Sequence, residues 1–498
     1  MGVSSAAATP HATAATAPQA TAATAPHVRR NIWTLPSGDQ TVEEYAQAVA
    51  IMQGRPAHDP TSWTYQAAMH GTRVGAVQPL WNGCQHGTWF FLAWHRMFIY
   101  YFEQIVRAAV VQAGGSADWS LPFWDYGAGG QQATLPSAFR QSTVSGSPNP
   151  LFESLRAPGI NTGLAVSPAV ASATRALRAP RFVGTADFGG GITGVAQFSN
   201  STGQLEAQPH NVIHDAVGGN GGLMADPDAA AADPIFWIHH ANIDRLWFIW
   251  NTPGHRDPND PRWTGQTFSF FDANGQRVSK TPTDVVDIVG QLGYTYEVAA
   301  ARPAGAGGPA FAPTPEDAVT GPEPPEGEPE LVGASEMPVR LVGGPASVAL
   351  QIDPQAHDAA LAARSATAPQ RILLSVEDIE AERNPGTVYG IYLNLPAGAS
   401  ADVAESHHAG NVSFFGVERA RHPRGDEHAH SLRVVHDITE LTRSLAAQGE
   451  WDGRHIEVTF RPLGLIPHDQ PELAHALPDD ATDTDPPVTI GRVAIFYE

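Results

Sequence analysis

His210-Asn211-Val212-Ile213-His214, preceded by Glu206 and followed by Asp233-Pro234-Ile235-Phe236-Trp237-Ile238-His239-His240-Ala241-Asn242-Ile243-Asp244-Arg245-Leu246-Trp247, is the stretch that decides how this chain is read. A spacing of four on a helix puts His210 and His214 on one face, one turn apart. Paired neutral imidazoles suit copper, zinc, iron or nickel. His240 follows in a strongly apolar segment, and Asp244 lies one helical turn beyond it. A carboxylate there is expected to orient a ligating imidazole through its free N–H.

A second apolar segment, His86-Gly87-Thr88-Trp89-Phe90-Phe91-Leu92-Ala93-Trp94-His95-Arg96, carries two more histidines, and His70 lies upstream in Ala68-Met69-His70-Gly71. Two sets of three histidines imply two metals. Neutral nitrogen ligands without carboxylate or thiolate favour copper over magnesium, calcium or a closed zinc site. Nine residues make about two and a half helical turns, which would put His86 and His95 on opposite faces of one helix. His86 is therefore expected before the helix and His95 within it. Arg96 and Glu103 are expected to be buried pairing partners that join helices.

These motifs resemble the tyrosinase and polyphenol oxidase family of binuclear copper proteins. The resemblance rests on His86-x8-His95 with Arg96 and Glu103, and on His210-x3-His214 followed by Asp233-Pro234-x-Phe236-Trp237-x-His239-His240-Ala241-Asn242-x-Asp244-Arg245-x-Trp247. It implies a mainly α catalytic domain, a helical bundle around two copper ions. One copper would be held by His70, His86 and His95, the other by His210, His214 and His240. His239 is then a neighbour. It also implies that Glu206 and Asn211 hold a water able to take the phenol proton, since free phenols ionise only near pH 10. The rival reading of Glu206 is an N-cap or first-turn acid favoured by the helix dipole. Cys84-x-His86 resembles the fungal arrangement in which cysteine and histidine form a thioether. Asp215, Met224 and Pro227 are expected at the entrance. Pro227 falls where many plant enzymes carry a shielding aromatic, so the mouth is expected to be open.

The chain has 498 residues, enough for two or three domains, and a net charge of −22 from 51 acids against 29 bases. Such a balance argues against nucleic acid or an anionic membrane as partner. Cys84 is the one cysteine, so an intramolecular disulfide is excluded. No membrane span and no secretory signal are legible, and a cytoplasmic location is the expectation.

Residues 1–30 are rich in alanine, threonine and proline, with an eight-residue repeat at 11–18 and 19–26, and read as a disordered tail. The catalytic domain is expected over 31–301, with a first helix over 41–53 and His70 near the end of a short helix or loop. Residues 127–200 read as long surface loops with short helices. Tyr294-Thr295-Tyr296 resembles the family motif that closes this domain. A proline-, glycine- and glutamate-rich linker follows over 302–334. Short β runs from 335 to 498, with one helix near 438–448, suggest a β-sandwich. Val388-Tyr389-Gly390-Ile391-Tyr392-Leu393-Asn394-Leu395-Pro396 within it resembles the shielding domain of latent plant enzymes. His407, His408, His422, His428 and His430 read as solvated surface residues.

Together these features predict an oxidoreductase acting on a small phenol with dioxygen, latent until an activating protease removes the C-terminal domain. Tyrosinase-type ortho-hydroxylation is the leading expectation. Oxidation of catechols or ortho-aminophenols alone is the nearest alternative. A dioxygen carrier and a zinc hydrolase are further rivals; no His-Glu-x-x-His motif supports the latter.

Overall fold

The computed structural model describes residues 25–74, 77–252, 254–297, 329–357, 371–422, 429–477 and 487–498. Five helices frame the first domain: α1 (Thr41–Gln53), α2 (Trp63–His70), α3 (Phe91–Gln112), α4 (Val212–Gly218) and α5 (Ile235–Asn251). As expected, α1 spans 41–53, His70 closes α2, His86 precedes α3 and His95 lies inside it. Helix α3 is buried on nearly all sides, so its composition is apolar around its circumference. It packs against α1 and α5, with the Phe102 and Trp237 rings stacked at 3.4 Å. Helix α5 starts where Asp233 accepts the Ile235 N–H, and Asp233 is itself held by buried Arg156.

Residues 127–200 carry the expected short helices, such as Ser137–Arg140 and Thr174–Arg178, and are exposed over 141–148, but they are not confined to the surface. Phe139, Leu151, Ile160, Val170 and Phe188 are buried in the main core. Their glycines and prolines permit tight, irregular packing and leave no helical or strand period to read.

The expected tail over 1–30 also needs correction at its end. His27–Arg29 forms a strand, β1, parallel to β2 (Tyr294–Tyr296). Arg29 is fully buried. Its guanidinium donates to Glu103 at 2.7 Å, to Asp244 at 3.2 Å and to the Tyr296 hydroxyl at 2.9 Å, and packs 3.8 Å from the Tyr294 ring centroid. Asp244 also takes Arg96 and both tyrosine hydroxyls. Arg96 and Glu103 are thus the buried partners expected, and Asp244 is spent on this network rather than on His240. The two arginines hold the Asp244 carboxyl below its ordinary range against the opposing effect of burial.

The C-terminal domain begins with β3 (Glu330–Ser335), a few residues before the expected boundary at 335, and continues with β4 (Val339–Leu341), β5 (Ala346–Ile352), β6 (Ile372–Glu380), β7 (Val388–Leu393), β8 (His408–Val412), β9 (Leu432–Asp437), β10 (Ile456–Leu463) and β11 (Val488–Tyr497). They form one nine-stranded antiparallel sheet in the order β8-β7-β10-β5-β3-β11-β6-β9, with β4 against β11. The facing layers of the expected sandwich are walls of this single sheet, which curls until its edges meet. His436 on β9 donates to the Asn411 carbonyl on β8 at 2.9 Å. Gly410 permits the approach, because a Cβ there would lie 2.5 Å from the His436 ring. The helix expected near 438–448 is present at Thr439–Gln448. His407 is buried rather than solvated, and His408 is half-buried. His422 is exposed as expected, and His428 lies outside the described residues.

Replacing Arg29 with methionine would leave Glu103 and Asp244 short of a buried countercharge. Chemical denaturation should show a loss of about 3 kcal/mol, the low end for breaking a buried pair, since Arg96 and Arg107 remain.

Candidate metal centre

Two groups of buried histidines face each other at the heart of the helical domain. His70, His86 and His95 form one, and His210, His214, His239 and His240 the other; within each, the potential ligand nitrogens lie within 4.8 Å of one another. The groups touch. The His95 and His240 rings stack at 4.6 Å, and His86 and His210 are 5.8 Å apart, centroid to centroid.

Four of these rings are fixed through Nδ1. His70 donates to the Pro227 carbonyl at 2.9 Å, His95 to the Phe91 carbonyl at 2.8 Å, His214 to the Met224 carbonyl at 2.7 Å and His210 to Asn211 Oδ1 at 2.7 Å. Each such bond sets the tautomer and leaves the Nε2 lone pair free. All four Nε2 atoms are buried without a hydrogen-bond partner, as are both ring nitrogens of His86, His239 and His240. Burial holds the rings neutral, pushing His70 down to about 3. Unpartnered, neutral imidazole nitrogens aimed at one another fit a pair of copper ions, with no carboxylate or thiolate in either group.

Met224 and Pro227, expected at the entrance, lie in a segment that the C-terminal domain reaches, Asn384 donating to the Ala225 carbonyl at 3.0 Å. Both are buried, and their carbonyls orient one histidine of each group. The rings over the centre come from elsewhere. Phe198 stacks on His86 at 4.9 Å, and Phe415, from the C-terminal domain, stacks on His214 at 4.2 Å. The cover on the centre comes from the C-terminal domain, the part of the chain expected to shield it, through Phe415. Asp215 is also buried and faces the C-terminal domain. Sequence reading missed Phe198 and Phe415. The signal was an aromatic pair before glycine, Phe414-Phe415-Gly416, in a loop between β runs.

The turn carrying Glu206 is not continuous with α4. Gln208 has extended backbone angles, so Glu206 and His210 do not share a helix face. Glu206 is buried instead against the loop before α3, its Oε1 accepting the Gly87 N–H at 2.7 Å while Oε2 has no partner. Burial pushes its carboxyl up to about 8. The His86–Gly87 loop is clamped in turn to residues 197–199, by His86 N–H to Gln197 O at 3.1 Å and Ser199 N–H to His86 O at 2.9 Å. Gly87 is required, since a Cβ would stand 1.9 Å from Ser199 O. Cys84 is buried beside this loop, with Gln197 Nε2 at 3.6 Å from its sulfur.

Comparison with known proteins agrees with this centre. The "common central domain of tyrosinase" matches residues 60–168 and 167–253, and the "polyphenol oxidase middle domain" matches 257–303. Tyrosinase HcTyr1 from Hahella sp. (strain CCB-MM4) is 32% identical over 94% of this chain and 99% of its own length. The chain belongs to the tyrosinase and polyphenol oxidase family. That family uses two copper ions, and its members are oxidoreductases. Plant relatives align over about half their length; the latent polyphenol oxidase of Prunus armeniaca is 28% identical over 53% of this chain and 48% of its own. The fold of the whole chain is similar to latent apple tyrosinase, with a TM-score of 0.60 and 20% identity over 96% of this chain and 98% of that one. A tyrosinase from Burkholderia thailandensis gives 0.52 at 19% identity, covering 88% of this chain and 95% of its own. Residues 328–498 match a domain described only as of unknown function, DUF7868.

His239 and His240 both lie near His210 and His214, but of the two only His240 stacks on a ring of the first group. His240→Ala should cost one of the two copper ions in elemental analysis of the loaded protein, whereas His239→Ala should retain both.

Proposed function

We propose that this chain is a latent tyrosinase, which hydroxylates small monophenols at the ortho position and oxidises the resulting diphenols to ortho-quinones with dioxygen. The observation that carries this is the pair of neutral, unpartnered histidine groups in contact through His95 and His240, capped by the Phe415 ring. His70, His86 and His95 would hold one copper, and His210, His214 and His240 the other. When bound, the coppers supply dioxygen binding and electron transfer.

The chain supplies geometry, an apolar slot and a base. Carbonyls and Asn211 hold four imidazoles still, and stacking between Phe198 and the neighbouring rings restrains His86. A phenol ring would take the place that Phe415 occupies on His214. Glu206, with its unpartnered Oε2, would take the phenol proton through a water shared with the Asn211 amide. Burial opposes ionisation of Glu206 here, and positive metal charge nearby would favour it. Glu206→Gln keeps an oxygen for the Gly87 N–H and removes the base. Hydroxylation of a monophenol should fall by about 100-fold while catechol oxidation changes less than about threefold. Equal losses on both substrates would refute the role of Glu206 as the base, and a parent chain that does not hydroxylate the monophenol would leave catechol-only or aminophenol oxidation as the better reading.

Cys84 and His86 are proposed to form a thioether, joining Sγ to a ring carbon with loss of the thiol and ring hydrogens and their two electrons to dioxygen at the copper centre. Peptide mass spectrometry of the copper-loaded protein should find the Cys84–His86 peptide lighter by two hydrogen atoms. The Cys84→Ser variant should lack the change.

Latency follows from Phe415. The expected cleavage region, 302–332, lies almost entirely outside the described residues. Limited proteolysis should raise phenol oxidation by at least about tenfold, and Phe415→Ala should raise it in the uncut chain, because a substrate-sized aromatic no longer fills the slot. Unchanged activity in both would remove the idea.

A further inference from the structure

Asp215 follows a histidine of the second group, yet its carboxylate serves the other domain. Oδ1 accepts from the Asn384 amide at 2.7 Å; Oδ2 accepts from the Ser413 hydroxyl and the Phe414 N–H, both at 2.7 Å. All three donors belong to the C-terminal domain. Asp215 is fully buried, and its carboxyl is pushed up to about 6 by that burial, with the opposing pull coming from Asn384, Ser413 and the Phe414 and Phe415 amides. A buried carboxylate is tolerated only when such hydrogen bonds replace lost water. Two of its partners adjoin the ring that caps the centre: Ser413 and Phe414 immediately precede Phe415.

Other contacts join the two domains, including charged ones away from the capping ring: Arg371 pairs with Asp187 at 3.4 Å and Arg175 donates to the His408 carbonyl at 2.6 Å. Asn384 also donates to the Ala225 carbonyl at 3.0 Å, and Arg419 donates to Gln197 Oε1 at 2.8 Å. Farther out, Ala165 and Ile466 exchange backbone hydrogen bonds, Asn411 donates to Ala169 O at 2.8 Å and Gln204 donates to Val435 O at 2.7 Å. The seam mixes these polar contacts with apolar ones, since Val388, Phe415 and Leu463 pack into the core of the catalytic domain. Asp215 is the acceptor of this seam that meets three donors beside the capping ring.

We propose that Asp215 is the catch that registers the Ser413–Gly416 loop, and so seats Phe415 over His214. This rests on the latent-oxidase reading above and adds the contact that enforces it. Without the acceptor, three buried donors lose their partner and the loop loses its register. Without the donors, the carboxylate is buried uncompensated. Either way the closed arrangement loses population relative to the open one.

The test uses full-length, copper-loaded protein, with changes made on the C-terminal side, away from the histidines. Ser413→Ala and the Asn384→Ala/Ser413→Ala pair remove donors, and Phe415→Ala removes the ring. Activity on a catechol is measured alongside copper content and hydrogen exchange of the 413–416 amides. The expected result is a graded rise, about threefold for Ser413→Ala and about tenfold or more for the pair, with faster exchange at Phe414 and unchanged copper. If Phe415→Ala activates while the donor variants stay at the parent level and keep slow exchange, the catch is refuted and latency stands. If Phe415→Ala itself leaves activity unchanged, the capping role fails and the catch fails with it. A pair variant that loses copper or does not fold is judged by Ser413→Ala alone, whose activity and exchange must then rise for the proposal to survive.

Discussion

Every other feature of this molecule depends on keeping several imidazoles dry, neutral and unpaired on the nitrogens that face one another. Buried polar atoms without partners are costly, and here a dense group of them, the facing ring nitrogens, gathers at one centre. A metal pair that takes those lone pairs removes it. The protein's contribution is to fix the rings before the metals arrive, through carbonyls that occupy Nδ1 on His70, His95 and His214 and through Asn211 on His210. Two of those carbonyls, from Met224 and Pro227, belong to one short segment, which thus orients both groups at once.

Holding such a centre requires a rigid shell. The network of Arg29, Arg96, Glu103 and Asp244, closed by Tyr294 and Tyr296, ties β1 and β2 to α3 and α5. It acts on the helices that carry His95 and His240 without touching either ring. The chain's first described strand and its Tyr-Thr-Tyr strand are distant in sequence and adjacent in space. Their pairing closes the domain next to the segment that leads to the capping domain.

Much of the centre was legible in the sequence because its signals are local. Spacing separated His86 from the helix that carries His95, and the apolar runs marked α3 and α5. What sequence reading misplaced depends on long-range contacts. Asp244 sits one turn from His240, a position suited to orienting it, but two arginines from other elements claim it. Arg29 looked like the end of a tail because nothing near it in sequence reveals a buried acid. Residues 127–200 carry no period, so their burial was invisible. Met224 and Pro227 act through backbone carbonyls, which side-chain identity does not report. Phe415 and the donors to Asp215 lie about 200 residues beyond the histidines they cover, and only the tertiary structure brings them together.

The most direct test of the central claim is anomalous scattering at the copper absorption edge from crystals of the loaded protein. Two peaks are predicted, one among the Nε2 atoms of His70 and His95 with His86, the other among those of His210 and His214 with His240. A single peak, or a metal bound through Glu206 or Asp215 in place of these imidazoles, would contradict the account.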